Sequence, residues 1–98
     1  MNELPRLSGV ETLILELLSE HRELYGLEMI GASRGKLKRG TIYVTLNRMD
    51  EKGFVTSREV EAEGRGPARR VYRLTGHGAR ALAAWQMAGA AFAQGGLR

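Results

Sequence analysis

Cysteine is absent from the 98 residues of the sequence. Its absence excludes a disulfide framework, a cysteine zinc finger and thiol chemistry, and it fits a reducing compartment. The sequence also lacks an apolar run of about 18 residues, the length that a membrane-spanning helix requires. Its first residues lack a basic region followed by an apolar block, so no secretory signal is predicted. We therefore expect a cytoplasmic protein that does not enter a membrane.

Side chains that commonly carry catalysis or bind metals are also scarce. The two histidines, His21 and His77, lie in different predicted elements, and neither has an acidic residue or a second histidine three or four positions away. The glycines near residue 65 are predicted to form a turn, because no strand and helix surround them as a phosphate-binding loop requires. No serine or threonine has a candidate base. The sequence predicts neither an enzyme nor a metal or cofactor site.

Charge is distributed unevenly along the chain. Residues 1–33 carry two basic and six acidic side chains, whereas residues 34–80 carry twelve basic and five acidic side chains. A basic block beside an acidic first third is typical of proteins that bind a polyanion, although a solvated basic surface would give the same counts. At this length we expect one domain with a modest core, which a partner subunit would help to stabilise.

The first predicted helix runs from Ser8 to about Glu20. Ser8 is predicted to cap it, with Glu11 completing a capping box three residues later. Apolar residues at helical spacing are predicted to face a core: Val10, Leu13, Ile14, Leu17 and Leu18. Glu11, Glu16 and Glu20 are predicted on the opposite side. The pattern indicates a packing helix.

The segment from Gly40 to about Lys52 is predicted to be a helix with two distinct faces. The face predicted to point to the core comprises Ile42, Thr45, Leu46 and Met49. The other face comprises Thr41, Val44, Asn47, Arg48 and Lys52, and the basic residues Lys36, Lys38 and Arg39 precede it. Hydroxyl, amide, guanidinium and small apolar groups are the types that contact base edges and phosphates. The segment therefore predicts a DNA-recognition helix.

Tyr43 lies at the boundary between these two faces. Its hydroxyl could reach a phosphate, or its ring could belong only to the core. We favour the phosphate contact, because the residue lies in the first turn of the helix, where backbone amides also favour phosphate.

A short helix over residues 27–33 is predicted before the recognition helix. Leu27 and Ile30 are predicted to point inward, with Met29 at the edge. Gly31 weakens the helix but would let another helix approach closely. Two helices joined by a turn predict a helix-turn-helix, whose second member is presented to the major groove.

A basic β-hairpin is predicted after the recognition helix. Its strands cover residues 54–61 and 68–75, and a turn with two glycines and a proline joins them. One arginine is predicted at the tip of the hairpin and two near its base: Arg65, Arg69 and Arg70. A hairpin directly after a helix-turn-helix predicts a winged helix, whose arginines would lie along phosphates or in the minor groove.

The last predicted helix begins after Thr75, its expected N-cap, and ends near Gln94. Residues at 3-4-3 spacing form a narrow seam of coiled-coil type: Leu82, Trp85, Gly89 and Phe92. The seam is predicted to pack on a second subunit in a two-fold dimer, and the alternative is packing on the first helix of the same chain. Trp85 would either anchor the dimer core or form the aromatic wall of a ligand pocket between subunits.

Together, the segments 40–55 and 65–78 carry motifs that resemble those of the PadR family of bacterial transcriptional repressors, and the resemblance extends over about residues 8–80. The family pattern around the recognition helix is roughly G-T-L-Y-P-x-L-x-R-L-E-x-x-G-L-V. Its matches here are Gly40, Thr41, Ile42, Tyr43, Leu46, Arg48, Met49, Asp50, Gly53, Phe54 and Val55. The wing pattern R-x-Y-x-L-T-x-x-G is matched by Arg70, Tyr72, Leu74, Thr75 and Gly78. The upstream run Tyr25-Gly26-Leu27-Glu28-Met29-Ile30 is similar to the family's H-G-Y-E-I-I.

Three features depart from the family pattern. Val44 stands where the family usually has proline, Leu27 replaces a tyrosine, and the last helix is short, as in the smaller members. The resemblance implies a dimeric winged-helix repressor that binds a palindromic operator. In some members a small aromatic ligand relieves repression, and the resemblance leaves open whether this chain has a ligand.

The sequence therefore predicts a mainly α-helical fold with a β-hairpin wing. A winged helix-turn-helix would span residues 1–75, and a dimerisation helix would span residues 76–98 of the same compact unit. The predicted partners are double-stranded DNA, a second copy of the chain and a candidate aromatic effector at Trp85, with a nucleoid-associated location. The predicted DNA contacts are Lys38, Arg39, Thr41, Tyr43, Val44, Asn47, Arg48, Arg65, Arg69 and Arg70. The alternative is a winged-helix adaptor that binds proteins and not DNA.

Overall fold

The computed structural model describes residues 6–61 and 68–95, with side chains described as far as residue 89 in the last helix. The elements in chain order are α1 (Gly9–Glu20), β1 (Leu24–Tyr25), α2 (Gly26–Ala32), α3 (Arg39–Glu51), β2 (Val55–Val60), β3 (Arg69–Leu74) and α4 (Gly76–Gly95). This arrangement confirms the prediction of a mainly helical fold with a β-hairpin wing. Within the described ranges, no helix has the length and apolar character needed to cross a membrane.

Helix α1 begins with the predicted capping box. The Glu11 backbone N–H donates to Ser8 Oγ at 3.1 Å, and the Ser8 N–H donates to Glu11 Oε1 at 2.9 Å. The prediction that Glu11 faces solvent was wrong, because the residue is only 7% exposed. Its second oxygen, Oε2, accepts a hydrogen bond from Lys52 Nζ at 2.9 Å. A polar residue in the first turn of α1 therefore joins that helix to the end of α3.

Helix α2 buries a different face from the predicted one. Met29 is fully buried, whereas Leu27 is 51% exposed. The short strand β1 lies immediately before α2 and pairs with β3, with Leu24 opposite Tyr72. This pairing fixes the rotation at which the chain enters α2, and a sequence pattern over seven residues does not contain that information. A Cβ atom at Gly31 would meet no atom within 4 Å, so no described helix approaches closely there.

The turn between α2 and α3 is held by a buried serine. Ser33 Oγ donates to the Ile30 carbonyl at 2.7 Å and accepts from the Leu37 N–H at 2.9 Å. Helix α3 then buries Ile42, Leu46 and Met49 in the core, as predicted. Gly53 ends the helix with a φ of 80°, a left-handed conformation that glycine adopts without steric cost.

The predicted hairpin belongs to a three-stranded antiparallel sheet in the order β1-β3-β2. The strand β1 was not predicted, because two residues are too few to show a period-2 pattern. The register pairs Val55 with Leu74 at one end and Val60 with Arg69 at the other. Tyr72 and Val71 are both buried, although adjacent strand residues point to opposite faces. The central strand is therefore covered on both sides.

Thr75 caps α4, as predicted. Its Oγ1 accepts a hydrogen bond from the Gly78 N–H at 2.9 Å and donates to the Gly53 carbonyl at 2.5 Å, which ties α4 to the end of α3. Helix α4 packs on α1, and its residues Ala81 and Leu82 are buried. Leu82 is 5% exposed and belongs to the core of its own chain, with Trp85 half-buried against that core. Leu82 thus fits the alternative of packing within the chain, and the dimer seam itself stays a prediction.

Candidate nucleic-acid interface

The outer face of α3 is open along its length. Thr41, Val44, Asn47 and Arg48 are all exposed, whereas the residues between them on the opposite face are buried. The side chains of Asn47 and Arg48 form no hydrogen bond or ion pair with any residue in the described ranges. Their amide and guanidinium groups are donors and acceptors that folding leaves available. The structure thus places the four predicted groove-contacting residues on one solvent-facing helix surface.

The beginning of α3 is suited to an anion. Lys38 is its N-cap and Arg39 its first residue, both are exposed, and no acidic residue lies in the first turn. The N–H groups of Thr41 and Ile42 donate to the Lys38 carbonyl at 3.2 Å and 3.0 Å, so the free backbone donors are those of the first two helical residues. Free N–H groups and the helix dipole both favour a phosphate at this end.

Tyr43 is 43% exposed, and its ring lies against the backbone at the start of α2. A Cβ atom built at Gly26 would come within 2.9 Å of the Tyr43 hydroxyl oxygen and within 2.7 Å of its ring. The ring can approach this closely only because residue 26 has no side chain. Tyr43 is therefore not a core residue: its ring packs on the start of α2 and stays partly exposed, and the phosphate contact remains a prediction.

A groove of about 420 Å³ separates α2 and Tyr43 from the wing. We call it the α2–wing groove; its lining residues are Tyr25, Gly26, Leu27, Glu28, Tyr43, Ala68, Arg69 and Arg70. The Arg69 guanidinium lies 5.4 Å from the centre of the Tyr25 ring, a cation–π contact that orients it. The acidic Glu28 uses its Oε1 to accept the Tyr25 N–H at 2.8 Å. The groove therefore lies between α3 and the wing, and Arg69 and Arg70 form its basic wall.

The sequence pattern does not identify Tyr25, Gly26 or Leu27 as candidate interface residues. Their family motif was recognised, but the motif alone does not show that they line a groove with Tyr43 and Arg69. The only local signal was the glycine, since a residue without a side chain before a short helix can indicate close approach of another group. The approaching group lies 17 residues further along the chain, so only the tertiary structure identifies it.

The two described wing arginines do not lie where they were predicted. Arg69 pairs with Val60 and Arg70 with Glu59, so both are next to the turn of the hairpin and not at its base. Arg70 donates to Ser57 Oγ at 3.1 Å and lies 3.7 Å from a carboxylate oxygen of Glu59. This pair is exposed and contributes little to stability, so a stronger anion could replace it. The predicted tip residue, Arg65, lies outside the described residues.

Two other basic residues are engaged in ion pairs within the chain. Lys52 was predicted on the outer face of α3, but it pairs with Glu11. Burial acts to raise the pKa of Glu11, and hydrogen bonds from Ser8 and Lys52 outweigh it, so the pKa lies below its usual value. Arg58 donates to both carboxylate oxygens of Glu23, at 3.0 Å and 2.8 Å, and this contact lowers the pKa of Glu23. Both cations are held closer to a carboxylate than Arg70 is, at 2.9 Å and 2.8 Å against 3.7 Å. We therefore assign the candidate interface to the other exposed basic residues.

Trp85 borders a shallow hollow that shares no lining residue with the α2–wing groove. The hollow has a volume of about 390 Å³, and its lining residues are Leu7, Gly9, Thr12, Leu13, Glu16, Lys36 and Trp85. It combines an aromatic surface with one acidic and one basic side chain. Gly89, on the predicted dimer seam, is exposed, and a Cβ atom added there would meet no described atom within 4 Å. The side chain of Phe92 lies outside the described residues.

The chain is similar to known proteins over most of its length. The model of the transcriptional regulator PadR-like family matches residues 14–84. A PadR family transcription regulator from hypervirulent Clostridium difficile R20291 is 28% identical, with a TM-score of 0.70 over 89% of this chain and 97% of that chain. A PadR-like transcription factor from Bacteroides fragilis is 25% identical, with a TM-score of 0.77 over 87% and 84% of the two chains.

Bacillus subtilis PadR, whose structure was solved in complex with operator DNA, is 25% identical. Its TM-score is 0.74 over 84% of this chain, which spans 48% of that protein. No curated protein matches the chain. Because the family match covers well over half of the sequence and the solved relatives share the fold, the chain belongs to the PadR-like family of transcriptional regulators.

Proposed function

We propose that this protein binds double-stranded DNA in a sequence-specific manner and represses transcription as a homodimer on a palindromic operator. The observation that carries the proposal is the outer face of α3. The side chains of Asn47 and Arg48 are exposed and have no hydrogen-bond or ion-pair partner among the described residues, and the anion-favouring start of the same helix adjoins them. Folding does not account for amide and guanidinium groups in this position, whereas contact with base edges does.

Each group of residues has a distinct role in the proposal. Base edges in the major groove would be contacted by Thr41, Val44, Asn47 and Arg48. Phosphates flanking the recognition helix would be held by Lys38, Arg39 and Tyr43. The wing would contribute Arg65, Arg69 and Arg70 to phosphates or to the minor groove. Such a regulator would act in the cytoplasm at the nucleoid.

A protein-binding adaptor with the same fold is the alternative. It requires the basic face to be covered by acidic residues of the chain or by a partner. Lys38, Arg39 and Arg48 form no ion pair with any described residue, and the Arg70 pair with Glu59 is exposed. The operator complex of the Bacillus subtilis relative also favours DNA as the ligand. Both observations support a nucleic-acid interface.

The proposed dimer uses the part of α4 beyond Leu82. Trp85, half-buried at the core, would lie at the boundary between the domain and the second subunit. Small side chains follow it on the helix, and Gly89 would allow close approach of a symmetry-related helix. Dimerisation would place two copies of α3 on the two half-sites of a palindrome.

A response to a small aromatic effector is a second candidate function. The hollow beside Trp85 supports it, because an aromatic ring there lies next to Glu16 and Lys36, which could hold polar substituents. Titration with phenolic and other aromatic compounds should quench Trp85 fluorescence and weaken DNA binding in parallel. Quenching without any change in DNA affinity would contradict the regulatory role.

Selection from a random duplex library, followed by binding at several salt concentrations, tests the main proposal. Each lysine or arginine on a phosphate should contribute about −0.9 to the slope of log K against log salt. Arg48→Ala should reduce discrimination between operator variants, whereas Arg65→Ala should weaken binding to all duplexes by a similar factor. Failure to enrich any duplex would overturn the proposal.

A further inference from the structure

The exposed valine on the recognition helix has no structural explanation. Val44 is 54% exposed, more than Tyr43, and it points away from the core formed by Ile42 and Leu46. Valine is also a poorer helix former than alanine, glutamate or lysine, so helix stability does not favour it at a solvent-facing position. An apolar group that helps neither the core nor the helix is available for a ligand.

Val44 lies in the middle of the surface that would enter the major groove. Thr41 is three residues before it, Asn47 three residues after and Arg48 four residues after, spacings that put neighbouring Cβ atoms about 5–6 Å apart. Polar groups therefore flank an apolar one on both sides. Any ligand that fits this surface must offer an apolar group between hydrogen-bonding groups.

The edge of a base pair in the major groove offers one such group. The C5-methyl group of thymine is the only apolar substituent there, and donors and acceptors of neighbouring base pairs lie beside it. We propose that Val44 is a specificity-determining residue that contacts a thymine methyl group in each operator half-site. The inference rests on the proposed DNA binding and adds the chemical group that this position recognises.

Two residues near Val44 also carry methyl groups that could produce a preference for thymine. Thr41 also carries a methyl group, although its hydroxyl donates to the Lys38 carbonyl at 3.4 Å. Leu27 is exposed to a similar extent as Val44 but belongs to α2, at the rim of the α2–wing groove. Contact with a base methyl requires a place on the face of α3, so Leu27 should affect affinity without selecting thymine.

The experiment uses the full-length protein and a duplex obtained by selection. Each thymine of the duplex is replaced in turn by deoxyuridine, which removes only the methyl group. At one thymine position, which symmetry repeats in the two half-sites, the replacement should lower the affinity of the wild-type protein by about fourfold per half-site. A loss of this size is expected when one buried methyl-sized contact is removed. Val44→Ala should bind the thymine and uracil duplexes with equal affinity at that position.

Two variants control for the neighbouring residues. Thr41→Ser removes a methyl group and keeps the hydroxyl, and Leu27→Ala removes an equally exposed apolar side chain from α2. Both should retain the wild-type discrimination between thymine and uracil. The inference is overturned if no thymine is sensitive, if Val44→Ala keeps the discrimination, or if Thr41→Ser abolishes it. In these cases sequence-specific binding would stand, whereas failure to select any duplex would remove the proposed function itself.

Discussion

Tyr43 keeps its place beside α2 because residue 26 has no side chain. The Gly26 backbone and the Tyr43 ring are close enough that a single added carbon would overlap the ring and its hydroxyl. The part of Tyr43 that would have to move is the outer end of a side chain that is 43% exposed. A substitution at residue 26 should therefore shift the tyrosine hydroxyl without disturbing the core.

Gly26→Ala tests this contact and the proposed phosphate role of Tyr43 together. We expect the free energy of unfolding to change by less than about 1 kcal/mol, because an exposed ring can rotate away. Duplex affinity should fall several-fold, since the hydroxyl leaves its position. Gly9→Ala is a matched control, because Gly9 also begins a helix and a Cβ atom there meets nothing within 4 Å. Equal affinities for Gly26→Ala and wild type would contradict the phosphate contact.

The ion pair between Glu11 and Lys52 should make stability depend on pH. The pKa of Glu11 is lower in the folded protein than its usual value of 4.5, so the unfolded state binds more protons in acid. The stabilisation that the Glu11 carboxylate contributes is therefore fully present above about pH 4.5, and it is lost as the pH falls through the pKa of Glu11 in the folded protein. Glu11→Gln should be less stable than wild type by about 1–2 kcal/mol at pH 7.

The difference in the free energy of unfolding between Glu11→Gln and wild type should shrink as the pH is lowered below 4.5. Urea unfolding monitored by circular dichroism at several pH values measures it. Glu20→Gln provides the control, because Glu20 is an exposed glutamate at the other end of α1 and should change stability little at any pH. A constant difference for Glu11→Gln across the pH range would rule out the charge as the cause.

At the scale of elements, two hydrogen bonds and one close approach join the end of α3, the sheet and the start of α4. Gly53 ends α3, its carbonyl accepts from Thr75 Oγ1, and the Thr75 N–H donates to the Phe54 carbonyl at 3.1 Å. Gly78 then packs directly on the Phe54 carbonyl, with no room for a side chain. The backbone on both sides of the hairpin is therefore tied to the start of α4.

Gly78→Ala should disrupt this junction. The obstructing atom is a backbone carbonyl oxygen, which cannot rotate away as a side chain can, so we expect a loss of about 1–3 kcal/mol in the free energy of unfolding. Gly31→Ala should be neutral or stabilising by up to about 1 kcal/mol, because the site is open and alanine favours a helix. Thermal unfolding of both variants measures the contrast, and equal melting temperatures would show that the junction tolerates a side chain.

At the scale of the whole molecule, two faces of α4 differ in what they can contact. Ala81 and Leu82 are buried in the core of their own chain, so the proposed contact with a second subunit uses later positions of the seam. Met87 and Gly89 are both exposed, but two positions along a helix correspond to about 200° of rotation. Only Gly89 lies on the predicted seam.

A glutamate placed at each position in turn tests the proposed dimer. Gly89→Glu should dissociate it, because the substitution puts a charge and a long side chain where two helices approach closely. Met87→Glu adds the same group on the opposite face and should leave the dimer intact. Sedimentation velocity measures both, with circular dichroism to verify folding. A monomeric wild-type protein, or dissociation by Met87→Glu alone, would contradict the seam.

Local patterns were sufficient for the elements whose signals are short-range. The capping box of α1, the core face of α3, the glycine at its end and the cap of α4 each depend on residues within about four positions. The exposed outer face of α3 follows from the same periodicity. The order of helix, turn, helix and hairpin could therefore be predicted, and with the family motifs it indicated a winged-helix regulator.

Contacts between distant residues were decided only by the tertiary structure. The burial of Glu11, the face of α2 that is exposed and the register that places Arg69 beside the turn all depend on partners far along the chain. Leu82 fits both a seam between subunits and a core position, because both require an apolar side chain at helical spacing. The sequence determined which face of α3 is exposed, because helical periodicity is a local property, and packing decided which cations, aromatic rings and apolar groups remain accessible around it.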